Sequence, residues 1–272
     1  LTEHVKVSSE RLDMKLVKPT DISGEALTGG YLLELDFHYD EPYKFKTDLK
    51  RLPMMFKDPD EPTTEQYAYV KNFYNDAEKV LYSENFKDPV DGYRKYIDIE
   101  SFINYFIVQE IAKNVDGNMR GSCYMAIRQN GKIEMPLVWD FDIAFGNADH
   151  ITWEQGATSA EYDGWFIKTC SPWYDRLFED PYFVAEVKKR WNEVKPKLEN
   201  LPDYIHKQSL LIKDAQVRNF SPVVNGGAGW DINKVEWNTK RIRGSYDAEL
   251  SYLMNFVEKR IVWLDTNINK LN

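Results

Sequence analysis

The sequence predicts an α+β fold, rich in strands at the front and helical behind. Three observations carry that reading. Short runs before Pro62 alternate apolar and polar residues, long runs after it repeat apolar residues every three or four positions, and one Asn-Gly hairpin lies between them. At 272 residues, with no internal repeat, low-complexity tract or linker-like shift in composition, the chain reads as one domain spanning 1–272.

The elements follow in order. Leu1-Thr2-Glu3-His4-Val5 alternates like a strand already under way, and Val5, Val7, Leu12, Met14, Leu16 and Val17 continue in short extended stretches. Gly29-Gly30 opens Tyr31 to Asp36, a run too short for a helix, and Tyr43, Phe45 and Thr47 alternate again. Thr63 or Thr64 caps a helix whose apolar face runs from Tyr67 to Leu81, and Asp98 caps a second that stops near Asn114, before the turn residues Asp116-Gly117-Asn118. Ser122 to Arg128 and Lys132 to Trp139 form the hairpin about Gln129-Asn130-Gly131. A long irregular loop over 146–171 leads to helices at Pro172–Phe178, Pro181–Leu198, Leu201–Phe220 and a final one from Tyr246.

Composition narrows the function class. A net charge of −9 argues against electrostatic binding to nucleic acid or an anionic membrane, and no apolar run has the length of a membrane span. An aromatic content of 14% excludes a disordered linker. Cys123 and Cys170 lack metal-ligand spacing and are compatible with one disulfide or none, the reading favoured here being two free core thiols.

The chemistry-bearing residues are acidic. Asp116 lies in the turn before the hairpin, and Asp140 and Asp142 follow its second strand, so the open end of the hairpin brings Asp116 towards Asp140. Carboxylates so placed suit metal-assisted phosphoryl transfer, one orienting the attacking hydroxyl and accepting its proton, another holding Mg²⁺ on the nucleotide phosphates. The plain alternative makes Asp116 a turn former and Asp140 a cap. Asp140-Phe141-Asp142 also reads as the Asp-x-Asp of glycosyltransferases, though no repeated βαβ units precede it, and Asp116 with Asp140 would serve a glycosidase.

Glu110 to Gly117, Tyr124-Met125, and Pro136 to Asn147 with its Trp139-Asp140-Phe141-Asp142 segment resemble the core of the spore coat protein H (CotH) kinase family. Gly29 to Glu34 with Asp36, Leu1 to Val7 leading to Arg11, and Arg241 with Arg243 before the last helix add to the resemblance, which spans nearly the whole chain. It implies an atypical, protein-kinase-like fold, with 1–62 the remainder of a β-rich small lobe and 63–272 a mainly helical large lobe. It implies ATP and Mg²⁺ as cofactors, protein Ser/Thr as substrate, and a secreted, cell-surface or spore-coat setting with an extracellular partner. Carried over by position, Asp116 is the catalytic-loop acid and Asp140 a metal ligand; Asp142 is a second metal ligand or a buried orienter; Asn118 or Ser122 substitutes as a further metal ligand; and Glu3, Arg241 and Arg243 bind cofactor. Gly121 stands where ordinary protein kinases place a metal-binding Asn. The lysine-bearing strand expected further upstream is not in the chain, so the fragment alone is expected to be inactive unless Lys6 or Lys44 substitutes. The rival implied by the same resemblance is a non-catalytic, pseudokinase-like binding module.

Other features carry plainer readings. His150 is a solvated loop residue; His4, His38 and His206 form no ligand set; and the Asn225–Gly229 loop lacks the Lys-Ser/Thr of a P-loop. Lys240, Arg241 and Arg243 read as a solvated face if they do not touch phosphate. Trp153, Trp165 and Trp173 are candidates for stacking on a sugar or peptide, or for the core.

Overall fold

The computed structural model describes residues 4–148, 161–220, 229–232 and 242–272. Among them are eight α-helices and one sheet of five strands, an α+β arrangement. The chain forms two compact units: Leu1–Gln109 with Asp116–Asp140 and Ile167–Val184, and Glu110–Val115 with Phe141–Phe166 and Ala185–Asn272.

The sheet belongs to the first unit. Strands β1 (Tyr31–Leu35), β2 (Lys44–Lys46), β3 (Pro53–Asp58), β4 (Cys123–Ile127) and β5 (Ile133–Glu134) run in the order β2-β3-β1-β4-β5, every pair antiparallel. The register sets Leu33 opposite Phe56 and Met125, and Leu35 opposite Met54 and Cys123, all buried. Alternation sends Leu32 and Glu34 to the other face, where Leu32 packs with Leu12, Met14, Tyr124 and Ala126.

The frontal segment therefore corrects the sequence reading. Among residues 4–30 no strand forms; Val7 and Leu12 make one isolated bridge, and Val17 N bonds Gly30 O at 3.2 Å. Its alternating apolar residues lie over the sheet face instead of pairing within it. Burial on a sheet needs the same period of two as membership in one. The hairpin's second strand is likewise shorter than its hydrophobic run: pairing stops at Glu134, and Pro136, which has no N–H to give, follows at once. Leu137 and Trp139 pack against the Leu12–Tyr124 cluster from outside the ladder.

Helix α1 (Thr64–Leu81) begins as expected, with a capping box in which Thr63 Oγ1 accepts from Gln66 N and Gln66 Oε1 from Thr63 N. Asp98 caps α2 (Ile99–Ala112), accepting from Ser101 N at 2.8 Å. The short helices α3 (Ile167–Cys170) and α4 (Pro172–Leu177) place Trp173 and Tyr174 in the core of the first unit. Glu78 of α1, fully buried, joins these pieces. Its Oε1 accepts from Thr47 Oγ1 at 2.9 Å and Trp173 Nε1 at 3.1 Å, and its Oε2 from Leu49 N at 2.7 Å and Lys50 N at 3.1 Å.

In the second unit α5 (Pro181–Leu198), α6 (Leu201–Leu211), α7 (Lys213–Phe220) and α8 (Tyr246–Ile268) dominate. The helix expected from Leu201 to Phe220 is broken at Ile212, so it is two. Asp265 of α8 binds Trp191 Nε1 at 3.0 Å and Lys195 Nζ at 2.7 Å on α5. Deeper in, buried Arg260 of α8 reaches Glu110 Oε1 at 2.7 Å and donates to the carbonyls of Glu110, Tyr162 and Gly164. Lys113, also buried, donates to the carbonyls of Glu161 and Asp163, and Phe166 N returns a bond to Glu110 Oε1. These two cations and one carboxylate fix the backbone from Glu161 to Phe166.

Removing the Glu78 carboxylate strands four donors without water. Glu78→Ala is expected to cost about 3 kcal/mol or more in urea unfolding, and Glu78→Gln less, because one acceptor oxygen survives. Equal losses for the two would contradict this account.

Candidate functional site

The site is built on the turn that joins α2 to β4, within the first unit. Asp116 is half-buried and opens the turn, which passes through left-handed backbone at Met119 (φ 65°) and Ser122 (φ 49°). Non-glycine residues hold such angles only where surrounding contacts impose them. Cys123 Sγ supplies some of those contacts, donating to Asp116 O at 3.3 Å and Gly121 O at 3.0 Å, and Tyr105 Oη donates to Gly117 O at 3.2 Å and to the same sulfur. Gly121 leaves room for its neighbours: a Cβ there would stand 3.0 Å from the exposed Phe37 ring, which would have to shift slightly, and 3.5 Å from Asp116 Oδ1. The glycine that occupies the usual asparagine position thus lets Phe37 lie against the turn beside the Asp116 carboxylate.

Two further carboxylates reach the same turn. Asp140 ends the run after β5 in left-handed backbone (φ 58°), its Oδ2 3.5 Å from Ser122 Oγ. Asp36, the residue after β1, accepts from Ser122 N at 3.2 Å. Its other oxygen takes His38 N at 2.7 Å and lies 2.8 Å from His38 Nδ1. Ser122 is therefore touched by Asp36 and Asp140, and its neighbour Gly121 adjoins Asp116.

Behind the acids, Tyr124 Oη donates to Glu34 Oε1 at 2.8 Å, and Glu34 Oε2 lies 3.2 Å from Lys57 Nζ, which also binds Glu41 at 2.8 Å. Burial opposes the Lys57 ammonium, but the two glutamates outweigh it and hold its pKa above the ordinary value. The Tyr124 phenol is pushed well up, first by burial, then by Glu34, with Asp36 and Asp140 adding.

The expected site residues fall as follows. Ser122 lies 3.5 Å from Asp140, and Asp116 opens the turn that ends at Ser122. Asn118 is in the same turn but buried, at 6% exposure. Asp142 is exposed and belongs to the second unit, where its carbonyl accepts from Asn147 Nδ2. Arg243, also of the second unit, pairs with Glu249 at 2.7 Å and lies over the Tyr252 ring, at the start of α8. Glu3, Arg241, Lys240, His150 and Trp153, and most of the Asn225–Gly229 loop, lie outside the described residues. Lys44 Nζ is bound to Tyr39 O, and Lys6 is exposed. Trp173 is core, whereas Trp165 stacks edge-on against Trp263 beside a cleft of about 470 Å³ lined by Tyr162, Val262, Trp263 and Asn267 of the second unit. Cys170 is only partly buried, correcting the reading of both thiols as core.

Sequence reasoning missed Lys57 and His38, and used Asp36 only as part of a pattern. The position of Asp36 directly after a glycine-opened strand was the signal available for it.

The whole-chain comparison decides the family. A family model described as CotH kinase protein matches residues 6–264. The chain belongs to the CotH kinase family. No curated protein matches the chain. As a CotH kinase domain it is kinase-like, and its α+β composition is the one that family was expected to bring.

Cys123 braces the Asp116 turn as an un-ionised thiol, since burial pushes its pKa up to about 11. The unfolded thiol ionises first, so the stability this group contributes is whole below about pH 9 and drains away towards pH 11. Iodoacetamide at pH 8 is expected to alkylate Cys170 in the folded chain and Cys123 only after denaturation, as read by peptide mass. Equal labelling of both under native conditions would overturn the brace.

Proposed function

We propose that this CotH kinase domain transfers the γ-phosphoryl group of Mg²⁺-ATP to serine or threonine hydroxyls of a protein. What supports the reading is one turn that carries Asp116 against Gly121 and brings the neighbouring Ser122 Oγ to 3.5 Å from Asp140 Oδ2. The reading gives the half-buried Asp116 to the acceptor and Asp140 to the metal.

The donor set fits magnesium in its phosphate-bound form. Among the described residues no three His, Cys, Asp or Glu side chains converge as a resident metal cage. Mg²⁺ asks for less: one or two carboxylates, with substrate phosphates and water completing the octahedron. Asp140 would hold it, with Ser122 Oγ alongside. When bound, the ion neutralises charge on the transferring phosphates.

The chain's own residues do the rest. Asp116 orients the acceptor hydroxyl and takes its proton as the new O–P bond forms. Asp36 holds Ser122 N, which fixes the turn that separates the two acids. Lys57, kept charged by Glu34 and Glu41, is the cation this reading assigns to the nucleotide phosphates. Left-handed backbone at Asp140 and Ser122 holds the geometry in advance, so little reorganisation remains for the reaction itself.

A secreted, cell-surface or spore-coat setting is proposed from the family; no helix among the described residues is long and apolar enough to cross a membrane.

Two measurements test the reading. Mg²⁺-ATP is expected to raise the melting temperature, and Asp140→Ala to abolish the rise. With a generic Ser/Thr acceptor protein, Asp116→Asn is expected to lower the transfer rate by about 10²-fold or more while leaving the ATP-induced shift in place. No thermal shift and no transfer in the wild-type chain would sink the proposal.

A further inference from the structure

We propose that His38 is a phosphoryl acceptor: its imidazole, oriented by Asp36, takes a phosphoryl group on Nε2. The inference rests on the phosphotransfer reading for its natural donor, but its core, a nucleophilic imidazole at the acid turn, stands on geometry of its own.

Four observations point to it. First, His38 Nδ1 lies 2.8 Å from Asp36 Oδ1, which also accepts from the His38 backbone N–H at 2.7 Å. With the proton on Nδ1 and directed at a carboxylate, the Nε2 lone pair is left for nucleophilic attack, the division of roles seen wherever a carboxylate orients a catalytic imidazole. Second, the side chain is 68% exposed whereas Asp36 is 14% exposed, so the ring edge bearing Nε2 is accessible while its orienting partner is not. Third, the ring is supported by Phe37, centroid to centroid 4.3 Å, and Phe37 itself adjoins Gly121 and the Asp116 side of the turn. Fourth, the remaining Asp36 oxygen is bound to Ser122 N, and Ser122 Oγ is 3.5 Å from Asp140. The imidazole is thus tied through one carboxylate to the turn on which a nucleoside triphosphate would be held.

The step balances without a further reactant. The Nε2 lone pair forms an N–P bond to the γ-phosphorus while the bond from that phosphorus to the β,γ-bridging oxygen breaks, and the nucleoside diphosphate leaves with the electron pair. The imidazole keeps its Nδ1 proton and becomes cationic, and the Asp36 carboxylate beside it compensates that charge. The phosphohistidine so formed is labile in acid and stable in base, unlike phosphoserine or phosphothreonine, and this gives it a distinct readout.

The test has two arms on the full chain. In the first, phosphoramidate, a donor that needs neither nucleotide nor metal, is applied at neutral pH, and acid-labile phosphate at each of the four histidines is quantified by peptide mass. His38 is expected to label about fivefold faster than His4, His150 or His206, and Asp36→Asn to remove the advantage, with His38→Gln losing that label alone. Labelling of His38 no faster than the others overturns the proposal, whatever ATP does. In the second arm Mg²⁺-ATP replaces phosphoramidate, and acid-labile phosphate on His38, lost in Asp140→Asn, is the expected result. Transfer to serine or threonine with none on His38 during turnover overturns the acceptor role while leaving the kinase reading intact. Absence of any transfer from ATP, with selective labelling in the first arm, removes the kinase reading and keeps the reactive imidazole.

Discussion

The first unit depends on the double pairing of β1. Tyr31 to Leu35 hydrogen-bonds to β3 on one side and β4 on the other, and every residue but Glu34 is buried. Its entry admits no side chain. A Cβ on Gly29 would meet the Arg128 backbone at 2.2 Å, and one on Gly30, at φ 97°, the Lys15 carbonyl at 2.4 Å. Once that strand is seated, alternation sends Glu34 to the Tyr124–Lys57 face, and Asp36, the first residue beyond the strand, arrives at Ser122. The acid site is a continuation of the sheet register.

Strain gathers near the acids without being confined to them. Of the eight non-glycine residues in left-handed backbone among the described residues, Lys113, Met119, Ser122, Asp140 and Phe145 lie in or next to the segments that bear Asp116 and Asp140, whereas Tyr39, Arg51 and Asn130 do not. Such angles cost energy that only a surrounding network can offset. Here Cys123 and Tyr105 brace Asp116, and Asp36 braces Ser122. The buried pair Arg260–Glu110 and the buried Lys113 do the corresponding work in the second unit, fixing backbone carbonyls where ordinary secondary structure supplies no donors.

Much of this was legible in the sequence where a local rule operates. Thr63 and Asp98 announce helix starts through their side-chain oxygens, and Asn130-Gly131 announces the hairpin. The contact of Ser122 with Asp140 follows from the same hairpin, because Ser122 precedes its first strand and Asp140 follows its second. What was not legible depends on partners distant in sequence. The frontal alternation cannot say whether it pairs or merely covers, since both use the same period. Lys57 is an ordinary strand lysine until Glu34 and Glu41 flank it, and His38 an ordinary loop histidine until Asp36 is fixed by Ser122. Gly121, read as a departure from the kinase pattern, has the ring of Phe37, distant in sequence, against it.

The interleaving of the two units along the chain has a consequence for synthesis. The first unit needs Ile167–Val184, which contains the Trp173 that caps Glu78, whereas the second draws its first segment, Glu110–Val115, from the middle of the first. A growing polypeptide therefore carries β1, β3 and β4 for some forty residues before the last wall of their unit emerges. Neither unit can be completed, or released by a single cut, as one uninterrupted stretch. Their assembly during translation must overlap, and the exposed sheet is the part that has to wait.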